Sequence, residues 1–153
     1  MKRMTGWALA LALVAFGGVQ AGNAGGELRI ENTWARATPA VAPVAAGYLT
    51  VVNDGDTADR LLRIDSAIAQ RIEMHQTVHE DGVMRMRRIE GGIVVPAHGR
   101  VVFAPGGNHL MLIGPVRPLV AGEHFEATLV FERAGARKAS FEVRAMDAGA
   151  HRH

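Results

Sequence analysis

The sequence predicts an all-β domain, folded as a Greek-key β-sandwich or small barrel. Turn-forming residues recur about every 8 to 12 positions, and the short stretches between them are rich in β-branched residues. Beyond the leader, no stretch has a sustained helical period. At 153 residues the chain is long enough for one domain. It contains no cysteine, but a chain of this size can bury enough core without disulfide bonds.

The first strands are predicted from loose alternation and from the turns that end them. Residues 27–35 alternate, whereas residues 36–46 hold two prolines and predict an irregular connection. Residues 47–53 form a strand that ends at an Asn-Asp-Gly-Asp turn, and residues 60–64 form the next strand. A single helical turn is expected at residues 67–70.

An Asp-Gly pair is among the strongest short hairpin signals, and here it separates two strands, at residues 71–79 and 83–89. The remaining strands follow between glycine-containing turns, and a turn at Gly135 separates the last two. They are predicted at residues 93–95, 100–103, 109–113, 124–132 and 139–146.

The two-residue turn fixes the register of this hairpin. It places His75 opposite Arg88 and Thr77 opposite Met86. Directly opposed residues share a face and side chains alternate along each strand. One face therefore carries His75, Thr77, His79, Met84, Met86 and Arg88. His75 and Met86 are then diagonal neighbours, within reach of a single ion.

Residues 1–24 are predicted to be a cleaved secretory signal. A short basic start precedes an apolar run from Trp7 to Val19, and small residues that suit cleavage follow. The run is shorter than the roughly 20 apolar residues of a membrane span. We therefore expect an exported domain at residues 25–146, without membrane insertion after cleavage, and a flexible tail at residues 147–153.

The basic character of the chain lies mainly in this leader. The whole sequence has 17 Lys+Arg against 15 Asp+Glu. Lys2 and Arg3 belong to the leader, which has no acidic residue, so the rest of the chain is formally neutral. Without a basic run, neither a nucleic-acid partner nor a membrane-surface partner is predicted.

Four soft side chains in the middle of the chain predict a metal site: His75, Met86, His109 and Met111. His109 and Met111 form a His-x-Met triplet and share one face of a strand. Thioether and imidazole donors together suit Cu(I), and they suit calcium, magnesium or manganese poorly. The absence of cysteine excludes a blue-copper centre, which needs a His₂Cys core.

The alternative interpretation is structural. Methionine often fills gaps in a core, and a lone exposed histidine is usually a surface residue. The chain would then be a secreted β-sandwich interaction module without a metal site. No Ser-His-Asp order, nucleophile elbow, zinc helix motif or phosphate loop predicts an enzyme. Histidine and methionine sharing a face on two segments, each beside a glycine-containing turn, favours copper.

Three blocks of the sequence resemble the periplasmic copper chaperones called PCu(A)C. They are Glu73-Met74-His75, residues 82–87 and residues 105–112. The resemblance extends to short blocks at residues 34–39, 46–48, 59–61 and 118–122. It therefore covers nearly the whole chain after the leader. The loop between Met86 and His109 is one residue longer than in the family pattern.

The resemblance implies a cupredoxin-like β-sandwich with a protruding hairpin. It implies Cu(I) held near the surface by His75, Met86, His109 and Met111. It also implies delivery to the Cu(A) site of cytochrome c oxidase, sometimes with a Sco-type thioredoxin-fold partner. We therefore expect a periplasmic metallochaperone that acts in oxidase assembly, is a monomer and is not an enzyme.

The remaining histidines and methionines have their own expectations. His79 and Met84 share the hairpin face, and each is either an outer or substitute ligand or a residue without a metal role. Met74 faces the other way and is expected in the core. His98 and His124 lie at turn edges and are expected at the surface.

The tail contains His151 and His153. Related chaperones can carry Met- and His-rich C-terminal extensions that help to bind copper. One interpretation of this tail is therefore a secondary site for Cu(II), and the other is a disordered polar end.

Overall fold

The computed structural model describes residues 27–146, and every regular element in that range is a β-strand. The ten strands are β1 (Leu28–Arg36), β2 (Val44–Asn53), β3 (Asp59–Asp65), β4 (Ala69–Glu80), β5 (Val83–Arg88), β6 (Ile93–Val95), β7 (Gly99–Phe103), β8 (Asn108–Pro115), β9 (His124–Phe131) and β10 (Gly135–Arg144). No helix in this range is long and apolar enough to cross a bilayer. The leader and the tail lie outside the described residues.

The strands form one continuous hydrogen-bonded sheet that folds over on itself into two layers. Their order is β5-β4-β8-β7-β2-β1-β10-β9-β3-β6. Strand β1 joins the layers, since it pairs antiparallel with β2 and parallel with β10. Strands far apart in this order, such as β3 and β4, contact each other across the core. The chain thus crosses repeatedly between the layers, for example from β2 to β3 and from β8 to β9, as in a Greek-key sandwich, and the predicted fold class is confirmed.

The core lies between the layers and is built by alternate residues of most strands. Its largest fully buried side chains are Phe131, Phe141, Leu49, Leu61, Ile64, Leu110, Leu112, Leu119, Leu129, Val51, Val95 and Val143. Strand β8 shows how this alternation positions the site. Leu110 and Leu112 are each 1% exposed and face the core. His109 and Met111 therefore lie on the outer face of the same strand.

A bulge in β1 reverses which side chains face the core. In its first half, Ile30 packs against the core. The pairing with β2 then gains an extra residue, where Asn32 adopts a φ of 52°. Beyond the bulge Ala35 is fully buried. Trp34 and Arg36 are consequently turned to the outer face of the sheet.

Strands β4 and β5 form a hairpin that projects beyond the sheet. The register is the predicted one throughout, from His75 opposite Arg88 to Glu80 opposite Val83. Both residues of the Asp-Gly turn have positive φ, 51° and 77°, as in a type I′ turn. Strand β8 pairs with β4 only as far as Gln76, so the tip of the hairpin is held by its own pairing.

Several local expectations are wrong. Strand β2 begins at Val44, inside the connection expected to be irregular at residues 36–46, and the last strand begins at Gly135 instead of residue 139. Of the segment expected as a helical turn, residues 67–70, the first two residues form a non-helical turn and the last two already belong to β4. Its backbone is drawn into the sheet, where Ala69 pairs with Pro115 of β8. The turn expected at Gly135 lies at residues 132–134. Gly135 itself begins β10, because it already pairs with the last residue of β9.

Candidate metal centre

Three neighbouring strands carry the four side chains that the sequence singles out. His75 in β4 lies directly opposite His109 in β8, and Glu73 lies opposite Met111. Met86 in β5 lies one same-face position further along the hairpin. Because side chains alternate along each strand, all of these residues share the outer face of the sheet. The predicted juxtaposition of two histidines and two methionines on one face is what the pairing produces.

The imidazole rings of His75 and His109 lie side by side. Their centroids are 5.8 Å apart, and the ring planes are inclined by 38°. The His75 side chain is 13% exposed and His109 is 8% exposed. Both rings are thus largely withdrawn from water while remaining on the outer face.

Hydrogen bonds fix the tautomer of each ring. His75 Nε2 donates to Glu73 Oε2 at 2.9 Å, and His109 Nδ1 donates to the Gly107 carbonyl oxygen at 3.1 Å. These oxygens can only accept, so each of these nitrogens carries the proton. In the neutral rings, the lone pairs are then on the other nitrogens, His75 Nδ1 and His109 Nε2. Both are buried and have no hydrogen-bond partner among the described residues.

This arrangement is the one that metal-binding histidines adopt. A carboxylate or a carbonyl oxygen behind the ring orients it and fixes the tautomer, so that the opposite nitrogen can bind a metal ion. A buried ring nitrogen without a partner also loses its hydration without compensation. A soft cation between the two rings would supply the missing interaction.

Glu73 is held by two arginines as well as by His75. Its Oε1 accepts a hydrogen bond from Arg71 Nε at 2.9 Å, and Arg88 Nη1 lies 3.5 Å from the same oxygen. The hydrogen bond from His75, and next the one from Arg71, lower the pKa of the Glu73 carboxyl below its ordinary value. The ionised carboxylate is therefore the stable acceptor for the His75 ring.

The methionines lie on the solvent side of the rings. Met86 is 65% exposed and Met84 is 58% exposed, while Met111 is partly buried. Exposure of this kind argues against the interpretation in which hairpin methionines fill a core. Met74 is 6% exposed and belongs to the core, as expected.

The outer face is hollowed into a groove of about 460 Å³. Its lining residues are Arg36, Ala46, Tyr48, Thr77, Met84, Met86, Pro105, Gly106 and His109. His75 and Met111 share the face but do not line the groove. The structure therefore brings all four candidate residues to one face, and only His109 and Met86 to this cavity.

The other candidate side chains lie apart from the two rings. His79 is exposed on the projecting tip, opposite Met84. His98 and His124 are exposed, as expected. Across residues 27–146, no group of three or more His, Cys, Asp or Glu side chains is arranged to hold a metal ion. The soft donors that share a face with the imidazole pair are thioether sulfurs, and the Glu73 carboxylate on the same face is already bound to His75.

Sequence reasoning gave no role to Glu73, Arg36 or Tyr48. For Glu73 a signal was present, since a carboxylate two residues before a histidine on a strand lies on the same face. Arg36 reaches the groove only because of the bulge in β1, which the sequence pattern did not reveal. Tyr48 lies within the strand predicted at residues 47–53, but nothing in that pattern indicated its neighbours.

A family model, LpqE-like, matches residues 28–143. The chain belongs to the LpqE-like family. The protein Lxx21020 of Leifsonia xyli subsp. xyli (strain CTCB07), named as a lipoprotein, is 31% identical over 104 residues, which are 68% of this chain and 61% of that protein. RP573 of Rickettsia prowazekii (strain Madrid E) is 33% identical over 102 residues, 65% of this chain and 56% of that protein. The chain thus spans less than two thirds of either relative.

This LpqE-like chain is also similar to solved PCuAC domains. The apo PmoF2 PCuAC domain is 36% identical, with a TM-score of 0.69 over 82% of this chain and 96% of that one. The copper-bound PCuAC domain from PmoF2 is 34% identical, with a TM-score of 0.66 over 80% and 96%. CuI-DR1885 from Deinococcus radiodurans, at 24% identity and a TM-score of 0.63 over 86% and 89%, shows the fold alone. The fold is cupredoxin-like, and the resemblance to PCu(A)C proteins holds at the level of the family.

Proposed function

We propose that this protein is a metallochaperone that carries Cu(I) as its cargo. The proposal depends above all on His75 Nδ1 and His109 Nε2, two buried lone pairs without partners on a face that also carries exposed methionines. Its further support is the similarity to the copper-bound PCuAC domain from PmoF2. Imidazole and thioether donors select Cu(I).

The proposed ligands are His75, Met86, His109 and Met111. Both methionines are neutral donors without a proton to lose, so their affinity for copper does not fall as a thiolate's does at low pH. Met84 shares the groove with Met86 and is the proposed substitute when one thioether is displaced. Two thioethers stabilise the monovalent ion, which disfavours redox cycling and supports a carrier rather than an enzyme.

Release follows from the difference in exposure between the donors. The imidazoles are mostly buried, whereas the Met86 side chain stands in solvent. An incoming donor from a recipient protein would reach the thioether first and replace the ligands one at a time. A fully buried ion would have to wait for the fold to open.

We further propose a periplasmic location, after cleavage of residues 1–24, and the Cu(A) subunit of cytochrome c oxidase as the recipient. The test is copper transfer from the loaded protein to an isolated Cu(A) domain, with and without a Sco-type thiol partner. Transfer to that domain supports the assignment. Retention of copper under both conditions would contradict it.

Cu(I) titration under reducing conditions tests the metal site itself. We expect one tightly bound equivalent in the native protein and its loss in the Met86→Ala/Met111→Ala double variant. Met74→Leu is the matched control, because it removes a buried thioether that faces the core with little change in volume. Unchanged binding in the double variant would contradict the ligand assignment. No defined stoichiometry in the native protein would favour an interaction module without a metal.

A further inference from the structure

One cation in the groove has no counter-ion. Arg36 lines the groove together with His109, and its Nε is buried without a hydrogen-bond partner. Among the ion pairs of residues 27–146 none involves Arg36. Its neighbour in the parallel pairing, Arg144, is by contrast bound to Glu142 at 2.9 Å. A guanidinium N–H that is buried and unbonded is unfavourable, and an acceptor brought in from outside would relieve it.

Aromatic rings and a second arginine surround Arg36. Burial raises the pKa of the Tyr48 phenol, and the positive charge of Arg36 partly offsets this, so the two groups are electrostatic neighbours. Trp34 packs on Tyr48, with ring centroids 4.4 Å apart. The guanidinium of Arg144 lies 5.2 Å from the centre of the Trp34 ring. This end of the groove therefore combines the Tyr48 ring, backed by Trp34, with a cation that has no ion pair among the described residues.

The opposite wall of the groove is apolar and exposed. Met84 and Met86 stand on it, beside the turn at Pro105-Gly106. A groove of about 460 Å³ is large enough for several side chains of a bound segment. The two ends of the groove suit different ligand groups, since one attracts an anion and the other can bury apolar atoms.

We propose that this groove is a docking site for a segment of a partner protein that places an acidic side chain on Arg36 and packs against Met84 and Met86. A carboxylate fits because the guanidinium can bind both of its oxygens at once. The identity of the partner as the copper recipient rests on the proposed function. The docking step itself requires no copper.

Two model peptides test the proposal with copper-free protein: acetyl-Ala-Met-Glu-Met-Ala-amide and its glutamine counterpart. Binding is followed by NMR through the Trp34 indole. We expect the glutamate peptide to bind about tenfold more tightly, the difference typical of a charge-assisted hydrogen bond. Arg36→Gln is expected to abolish the difference. Arg137→Gln is the matched control, because its Nε is likewise buried without a partner but lies outside the groove lining.

Equal affinity for the two peptides, or a preference that survives in Arg36→Gln, would overturn the proposal. So would free acetate binding as tightly as the glutamate peptide, since the site would then hold an anion and no segment. Arg36→Lys covers the case in which Arg36→Gln does not fold. It keeps the charge but not the two-pronged geometry, and we expect weaker binding of the glutamate peptide. Unchanged binding would count against docking at Arg36.

Copper binding and peptide binding can fail independently of each other. A protein that distinguishes the peptides but binds no Cu(I) would contradict the chaperone function and leave the docking site standing. Tight Cu(I) binding without any distinction between the peptides would contradict the docking site and leave the chaperone function standing.

Discussion

The orientation of the His75 ring depends on its neighbour Glu73. The two residues are separated by one position on β4, so the pleat puts their side chains on the same face. The carboxylate takes the Nε2 proton and leaves Nδ1 free. Arg71 and Arg88 hold the carboxylate in turn. The two arginines thus position Glu73, and Glu73 positions the His75 ring so that its Nδ1 is available to a metal ion.

Removing this acceptor should weaken copper binding. Glu73→Ala leaves the His75 ring free to rotate and to change tautomer, and we expect Cu(I) affinity to fall by about 10- to 100-fold. Glu73→Gln keeps an oxygen acceptor at the same place and should lose less. Competition with a chromophoric Cu(I) chelator measures both. Equal affinity of Glu73→Ala and the native protein would contradict the role of this carboxylate.

The same carboxylate makes the stability of the copper-free protein depend on pH. Its pKa in the folded state lies below the ordinary value of 4.5. The stabilisation is therefore fully present above pH 4.5 and is lost as the pH falls through the folded-state value. Urea midpoints of the native protein and Glu73→Gln should differ at pH 7 and converge on acidification.

Glu126→Gln is the control for this pH series. Glu126 is exposed on β9 and has no ion pair among the described residues, so its variant should follow the native protein across the range. A gap between native protein and Glu73→Gln that widens toward low pH would contradict the assigned sign.

At the scale of elements, the hairpin determines whether the methionines meet the histidines. Its register follows from two residues, Asp81 and Gly82, which both adopt positive φ. A slip by one residue would move Met86 to the opposite face, away from the rings. The turn is thus as important to the site as the ligands.

Gly82→Ala tests this dependence. Gly82 has φ +77° with open space around it, so the added methyl group meets backbone strain alone. We expect a loss of about 1–2 kcal/mol in stability, and weaker Cu(I) binding because the hairpin register loosens. Gly135→Ala is matched, at φ +73° and also in open space, but lies at the β9–β10 turn. It should lose similar stability and keep its copper affinity, and weakened binding in both variants would contradict a specific role for the hairpin.

The hairpin and its register were predictable because an Asp-Gly turn is a local signal. Other features were not, because they are decided by distant partners. Residues 67–70 were expected to form a helical turn, but Ala69 already belongs to β4 because it pairs with Pro115. The bulge at Asn32 reverses which side chains of β1 face the core. The loose alternation of this strand in the sequence does not predict the bulge. The four candidate ligands were proposed from their spacing and from the family resemblance. Glu73 had a local signal, its position two residues before His75, whereas the place of Arg36 depends on the bulge in β1.

In the molecule as a whole, the two layers have different structural roles. The layer with β4 and β8 carries the candidate site on its outer face, and the layer with β9 closes the core beneath it. Strand β8 connects the two roles, because its inward side chains anchor the outward His109 and Met111. Core substitutions in the β9 layer should therefore lower stability without changing copper affinity, whereas those in β8 should lower both.

Two equivalent core truncations test this separation. Leu129→Ala in β9 and Leu110→Ala in β8 remove side chains that are 0% and 1% exposed, and each should lower the free energy of unfolding by about 2–5 kcal/mol. Only Leu110→Ala should also weaken Cu(I) binding, since it lies between the two β8 candidates. Denaturant unfolding measures the stability of each variant, and competition with a Cu(I) chelator on the same samples measures its copper affinity. Equal copper affinity in both variants would contradict the coupling through β8.

X-ray absorption spectroscopy of the Cu(I)-loaded protein reports which atoms surround the ion, and it therefore tests whether imidazole and thioether groups bind it. We expect a mixed shell of imidazole nitrogen and thioether sulfur, and the loss of the sulfur contribution in Met86→Ala/Met111→Ala. A shell of nitrogen and oxygen alone in the native protein, or a sulfur contribution unchanged in the double variant, would contradict this expectation.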